Sequence, residues 1–409
     1  MWYKEYIKRG MNMKLLEYKQ YNNLDEERSL NKKKVTIAII VVVLIIIIST
    51  ISVIYISNSD FRNFMDKYIL LKSVSSEDLP YINIDTEKSI YTCAYHKYIA
   101  ILENSNLTLY NSSGKEVERL NIDISSPIFA TQDNYLAIAE KDKQKVYLVK
   151  DKKILWEKEV EGKISRININ ENGYVSVIVS GTSYKSVITT YSQDGTEIFK
   201  TFLSSTVAID VDISKDNKYL SFCEMDLSGT LIESKIKTIS IEKAKQDPSN
   251  SIMYTYEIPS NVLVTNLEYH EKDELMCACD KEIYVLKNGN MQTVTSLDQS
   301  NITFAGVKLS KSYFKVIEDI QGINNQNTNI EIHNTANNNA YLYTINGVAK
   351  EVYSQNGVIA VNLGTEAYFI NETGWLIKKY TSTQEIKKIV VSSNIAGIIY
   401  RNRIEFIDL

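Results

Sequence analysis

Hydrophobic positions along the chain fall into three regimes. From Val35 to Ile56 the residues VTIAIIVVVLIIIISTISVIYI run without a charge. Between Asp60 and Ile69 apolar residues recur at helical spacing, as Phe61, Phe64, Met65, Tyr68 and Ile69, with Arg62, Asp66 and Lys67 among them. From Pro80 to the end they alternate in short runs between polar turns. The pattern predicts one long helix, one short helix and then a chain of strands.

The first run has 22 residues, which as a helix reach about 33 Å against a hydrocarbon core of about 30 Å. Fifteen of the 22 are Ile or Val, indifferent helix formers in water. In lipid that preference loses, because a lone segment can bond every N–H and C=O internally only as a helix. Each Ile, Val or Leu adds roughly −0.3 to −0.6 kcal/mol, so insertion is favourable by several kcal/mol. A buried core helix or strand is the competing reading. Residues 1–34 carry nine Lys/Arg against five Asp/Glu, with Lys32, Lys33 and Lys34 directly beside the run. Basic flanks favour the cytoplasm, so the N-terminus is placed inside and the C-terminus outside. A cleaved signal would have an apolar run of about 7–15 residues and a small-residue site. Here SNSDF follows a longer run, which reads as an uncleaved anchor. Met11 and Met13 are alternative starts to Met1 and change nothing downstream. The expected organisation is a cytoplasmic basic tail (1–34), a transmembrane helix (35–56), a juxtamembrane segment with a linker (57–79) and an extracytoplasmic domain (80–409). The juxtamembrane helix lies on the outer leaflet or acts as a spacer, and SVSSEDLP (73–80) reads as a linker.

Beyond Pro80 one element recurs: a polar turn, an aromatic or aliphatic residue, then an alternating β pattern. It appears as Tyr98-Ile99-Ala100-Ile101, Tyr135-Leu136-Ala137-Ile138, Tyr174-Val175-Ser176-Val177 and Tyr219-Leu220-Ser221-Phe222. Weaker copies begin at Leu275, Tyr313, Val358 and Ile395. Their second residues, 99, 136, 175, 220, 276, 314, 359 and 396, are 37 to 56 residues apart. A period near 40 with four short strands per unit is the signature of propeller blades. The third residue is small in seven copies, as expected for a strand near the central channel with blades crowding its faces, and Lys315 breaks the rule. The fold class is therefore all-β: a propeller of eight four-stranded blades, with seven as the alternative count, after one N-terminal membrane helix. The last unit, from Glu385, holds only three strands, and Tyr81-Ile82-Asn83-Ile84 is expected to supply its missing outer strand. Two stretches, 225–255 and the Asn-rich Ile320–Ala340, read as surface loops.

The outer turn, as in Ser192-Gln193-Asp194-Gly195-Thr196, resembles that of quinoprotein-type propellers, and VDISKDNKYLSF (211–222) resembles a WD-repeat turn between first and second strands. The whole arrangement is similar to a clostridial family of membrane-anchored proteins of unknown function, a resemblance that implies the fold and no activity. Only Trp156 and Trp375 lie in this domain, so no docking series for a quinone repeats from blade to blade and no cofactor is assigned.

Composition narrows the function further. A net charge of −4 offers no basic field for nucleic acid, and 44% hydrophobic with 23% charged residues excludes wholesale disorder. Cys277 and Cys279 form a C-x-C, and Cys223 occupies the slot of Cys279 one unit earlier; small buried packing residues are expected, with redox or metal use the alternative. His96, His270 and His333 fall in three different units and join no catalytic motif. The carboxylate pairs Asp210/Asp212 and Glu224/Asp226 share strand faces, where such pairs hold Ca²⁺ or act on a glycan. No catalytic, cofactor or metal residue is assigned from these. The function expected is a non-enzymatic binding scaffold in the cell envelope with a protein or glycan partner. The alternatives are an envelope polysaccharide hydrolase or lyase, and a sensor signalling through the tail.

Overall fold

The computed structural model describes residues 2–70, 72–181, 183–320 and 326–409, excluding the side chains of 2–8, 10, 12, 15–33, 59, 60, 63, 67, 68 and 320. Two compact units result, 1–71 and 72–409.

In the first unit a single helix runs from Trp2 to Ser57. Its portion Lys34–Ser57, 24 residues, is long and apolar enough to cross a membrane. Within it Thr50 Oγ1 and Ser52 Oγ each donate to the carbonyl four residues back at 2.8 Å. A short helix, Ser59–Phe64, follows, capped by Asn58, and continues as a π turn over Met65–Ile69. The expected apolar stripe is only partly formed. Phe64 and Ile69 are exposed, whereas Arg62 and Asp66 are buried and Tyr55 donates to Asp66 at 2.5 Å. A π turn inserts a residue and rotates later positions off the 3.6-residue stripe. The Tyr68 and Lys67 side chains lie outside the described residues.

The second unit is eight antiparallel sheets, each built from four consecutive strands except the last. Blade 1 comprises Tyr91–Tyr95, Tyr98–Glu103, Asn106–Tyr110 and Glu116–Asn121. All eight recurrent anchors fall on the second strand of a blade, so the count of eight stands. That strand is one removed from the axis; the innermost strand is the one before it. Outer turns reverse at positive φ: Gly195 takes φ +84, where a Cβ would meet the Trp156 ring at 2.9 Å, and in blade 2 Asp151 takes φ +51 instead.

There is no single core. The buried side chains form eight separate clusters, one in each seam between consecutive blades. A second strand feeds two seams by alternation: Ile99 and Ile101 face blade 8, while Ala100 and Leu102 face blade 2. The small third residue faces the next blade, and Gly397 shows why, since a Cβ there would lie 3.0 Å from Val390 and 3.3 Å from Ile99. Blades 5 and 6 are out of phase by one residue. Cys277 faces backwards into blade 4 and Ala278 faces forwards, and in blade 6 Phe314 and Val316 face forwards. A slip of one residue exchanges the two faces of a strand. It explains Lys315, which lies off the forward face and pairs with Glu331 at 2.9 Å.

Ring closure takes the expected form. Tyr81–Asn83 pairs antiparallel with Arg403–Asp408 as the outer strand of blade 8. The supposed linker contributes more than a connection: Ser73–Ser75 adds a fifth, parallel strand to the outer edge of blade 7. Between these strands Ser76 donates to Glu405 at 2.6 Å, and Glu405 also takes Tyr380 at 2.5 Å and Arg403 at 2.7 Å. A buried carboxylate with three partners holds the first strands of the domain to the last.

Both expected surface loops prove to contain blade strands. Residues 225–255 contain the third strand of blade 4, Glu233–Ser240, a one-and-a-half-turn helix Ile241–Gln246 and most of the fourth strand, Ile252–Glu257. The Asn-rich stretch holds Gln326–Asn334, the third strand of blade 6, in which Thr328, Ile330 and Ile332 are buried by alternation. Its residues 321–325 lie outside the described residues. Polar content masked a period of two that packing then used.

Phe406 is fully buried in the seam between blades 8 and 1. F406A is expected to cost about 3–5 kcal/mol in urea unfolding; a loss below about 1 kcal/mol would show that the closing seam carries little of the ring's stability.

Candidate functional site

The innermost strands of all eight blades surround an axial channel of about 730 Å³. Its two sides differ. Blades 3 to 6 present Arg166, Asn168, Asp210, Asp212, Asn266, Glu268 and Lys308, whereas blades 7, 8, 1 and 2 present mainly small or apolar residues such as Val352, Val390, Ala94 and Phe129. One strap crosses the lumen: Gln355 of blade 7 donates from Nε2 to the Thr131 carbonyl of blade 2 at 3.0 Å and lies 2.7 Å from the Thr131 hydroxyl.

The polar side is built from a repeated device. Residues two apart on one innermost strand reach the backbone of the next. From Lys163–Ile169 in blade 3 and the turn after it, Asn168 donates to the Val211 carbonyl at 2.6 Å and Asn170 to that of Ser214 at 3.1 Å. From Val207–Ile213 in blade 4, Asp210 accepts from Leu267 N–H at 2.8 Å and Asp212 from Tyr269 N–H at 2.6 Å. After Val264–Tyr269 in blade 5, His270 Nε2 donates to the Val307 carbonyl at 2.6 Å. That bond fixes the tautomer and leaves Nδ1 without a partner. Burial holds His270 neutral, its pKa lowered to about 4.

Asp210 and Asp212, the carboxylate pair singled out by sequence, therefore do line the channel, but as latches between blades. Asp210 also takes Arg166 Nε at 2.6 Å and the N–H of Val211 at 2.9 Å. Burial pushes Asp212 well above the usual carboxylate range, with Glu268 and Asp210 adding repulsion and the Tyr269 N–H opposing it. Glu224 and Asp226 are elsewhere: Glu224 pairs with Lys237 at 2.6 Å, and Asp226 closes a turn on Ser228 N–H. Among the described residues no group of three or more His, Cys, Asp or Glu is arranged to hold a metal.

Glu268 was missed by sequence reasoning. It makes no hydrogen bond or close ion pair among the described residues, and burial raises its pKa to about 7 against the pull of Lys308 and Lys215. The signal was present: Arg166-x-Asn168-x-Asn170, Asp210-x-Asp212-x-Ser214 and Asn266-x-Glu268-x-His270 repeat one polar period-two pattern just before three consecutive turns.

The three histidines stay apart as expected. The His96 carbonyl accepts from Ser392 at 2.6 Å across the closing seam, and His333 stacks on Tyr313 at 5.0 Å, 3.6 Å from Glu331. Cys223 and Cys279 do not share a slot; Cys223 faces forwards and Cys277 and Cys279 backwards, so all three meet in the blade 4–5 seam. Cys277 and Cys279 sulfurs are 3.6 Å apart as buried free thiols, and the Cys279 contact together with burial raises Cys277 well above the ordinary thiol range. They pack as core residues.

The sequence profile of a family of unknown function, DUF5711, matches residues 72–409, the whole propeller with both closing strands. The chain belongs to the DUF5711 family. A search of curated protein sequences finds no match to it. Among solved structures, this DUF5711 chain is similar to the C-terminal WD40 domain of Sif2, with 13% identity and TM-score 0.51 over 80% of this chain and 98% of that one. It is also similar to BamB from Moraxella catarrhalis, with 11% identity and TM-score 0.44 over 81% and 97%. Kuenenia stuttgartiensis hydrazine synthase matches at 10% identity and TM-score 0.40, over 77% and 94%. At such identities the Sif2 likeness speaks for the propeller fold alone.

Two outcomes follow for the DUF5711 propeller. D210A leaves the buried Leu267 N–H unpartnered and releases the partly exposed Arg166, and is expected to cost about 1–3 kcal/mol, read by chemical unfolding; a neutral result would remove the latch from the account. Glu268, with its folded pKa raised, contributes stability that is fully present below about pH 4.5 and lost as pH rises through about 7. The melting temperature of the wild type should therefore fall relative to that of E268Q between pH 4.5 and 7.5, and parallel curves would contradict the shift.

Proposed function

We propose that the chain is a single-pass envelope protein whose propeller is a non-enzymatic binding scaffold outside the membrane, with an envelope protein or glycan as partner. The observation that carries the binding role is the use of Asp210 and Asp212. The carboxyl groups best placed by sequence for acid–base work are engaged by Arg166 and by backbone N–H groups of the next blade, so they serve the rigidity of the ring. A rigid ring displays turns from eight blades on two faces, which suits partner recognition. The anchor is supported by the apolar helix Lys34–Ser57, and its orientation by the basic residues preceding it.

All four native cysteines are buried, so introduced ones report topology cleanly. A membrane-impermeant maleimide should label S393C on intact cells and R9C only after lysis. The reverse pattern overturns the orientation. Crosslinking on intact cells should then recover the same envelope component repeatedly through the propeller; turnover of an envelope polymer by the purified chain, with no component captured, would overturn the scaffold role.

A further inference from the structure

Of the charged groups outside the latches that line the channel, three stand on neighbouring blades. Glu268 stands on the innermost strand of blade 5, Lys308 on that of blade 6, and Lys215 in the turn leaving that of blade 4, all lining the same cavity. Lys308 makes no hydrogen bond or close ion pair among the described residues, and Lys215 has only the Ser310 carbonyl at 3.4 Å. The carboxyl groups facing them from blade 4 are already engaged, Asp210 by Arg166 and Asp212 by the Tyr269 N–H. Two ammonium groups thus act on Glu268, with Glu372 also acting on Lys215 and with Glu171 and Lys388 elsewhere on the lining, in a lumen whose volume of about 730 Å³ suits a small ligand. Side-chain amides of Asn168, Asn266 and Gln355 line the same space.

We propose that the polar half of the channel binds a small hydroxylated organic anion, its carboxylate or phosphate group seated on Lys215 and Lys308. The inference rests on the binding role proposed above and names a ligand class for it. The incoming anion competes with Glu268 for both ammonium groups. Glu268 therefore takes up a proton from solvent as the anion binds, which its pKa of about 7 makes easy near neutrality. Affinity accordingly rises as pH falls from 8 to 6.

The test is calorimetric titration of the full chain in detergent with glucuronate, glucose 6-phosphate and glucose, three probes that differ chiefly in the anionic group. At least one anion should bind at pH 6 while glucose does not, and which one binds decides between carboxylate and phosphate. K308Q should weaken binding about tenfold or more, the loss of roughly one charge-assisted hydrogen bond. E268Q should bind at pH 8 as tightly as the wild type does at pH 6. K215Q gives a second reading of the same seat should K308Q melt early. Silence from both anions, equal binding of glucose, or unchanged affinity in folded K308Q and K215Q would overturn the proposal. Cell-surface labelling and crosslinking do not involve the channel, so a silent titration beside a captured partner removes the ligand and leaves the scaffold.

Discussion

Every blade here is a sheet with two apolar faces, and a sheet of that kind is stable only between two others. The ring is the arrangement that gives each blade both neighbours. Its eight small cores are equivalent in kind, and none sits at the centre, so stability is distributed around the circumference. The last seam is the exception that the chain must solve by bringing its two ends together. Tyr81–Asn83 does this by strand pairing, and Glu405 does it by gathering Ser76, Tyr380 and Arg403 around one carboxylate.

Polar side chains are used for the same end along the axis. Innermost strands cannot close a sheet edge on each other as blades do internally, and their exposed backbone faces a wet channel. Asn168, Asn170, Asp210, Asp212 and His270 answer this by bonding the backbone of the following blade. The device operates through blades 3 to 6 and leaves that half of the lumen polar, while the Gln355 strap joins blades 7 and 2 in the other half. A structural need therefore created the asymmetry on which any recognition in the channel depends.

Alternation gives the ring tolerance. Because successive residues of a second strand feed opposite seams, blades 5 and 6 can run one residue out of phase and still fill both cores, with Ala278 facing one way and Cys277 the other. Lys315 marks the site of that slip, where an ion pair with Glu331 replaces a small apolar residue.

Local chemistry alone determined much of this protein. A run of 22 residues without a charge, most of them Ile or Val, can satisfy its backbone only as a helix once out of water. A turn-and-alternation motif repeated near every 40 residues forces eight similar units, and a three-stranded final unit calls for a strand from the other end. Phase, pairing at the edges and the partners of charged groups were decided by tertiary structure. Nothing near Ser73–Ser75 says that it will lie parallel to blade 7. The Asn-rich strand Gln326–Asn334 looks like a loop until Ile330 and Ile332 find a seam to fill. Asp210 reads as reactive until Arg166 and the Leu267 N–H, 44 and 57 residues away in sequence, are seen to hold it. Period and composition are properties of neighbours along the chain; the environment of a charge belongs to neighbours in space.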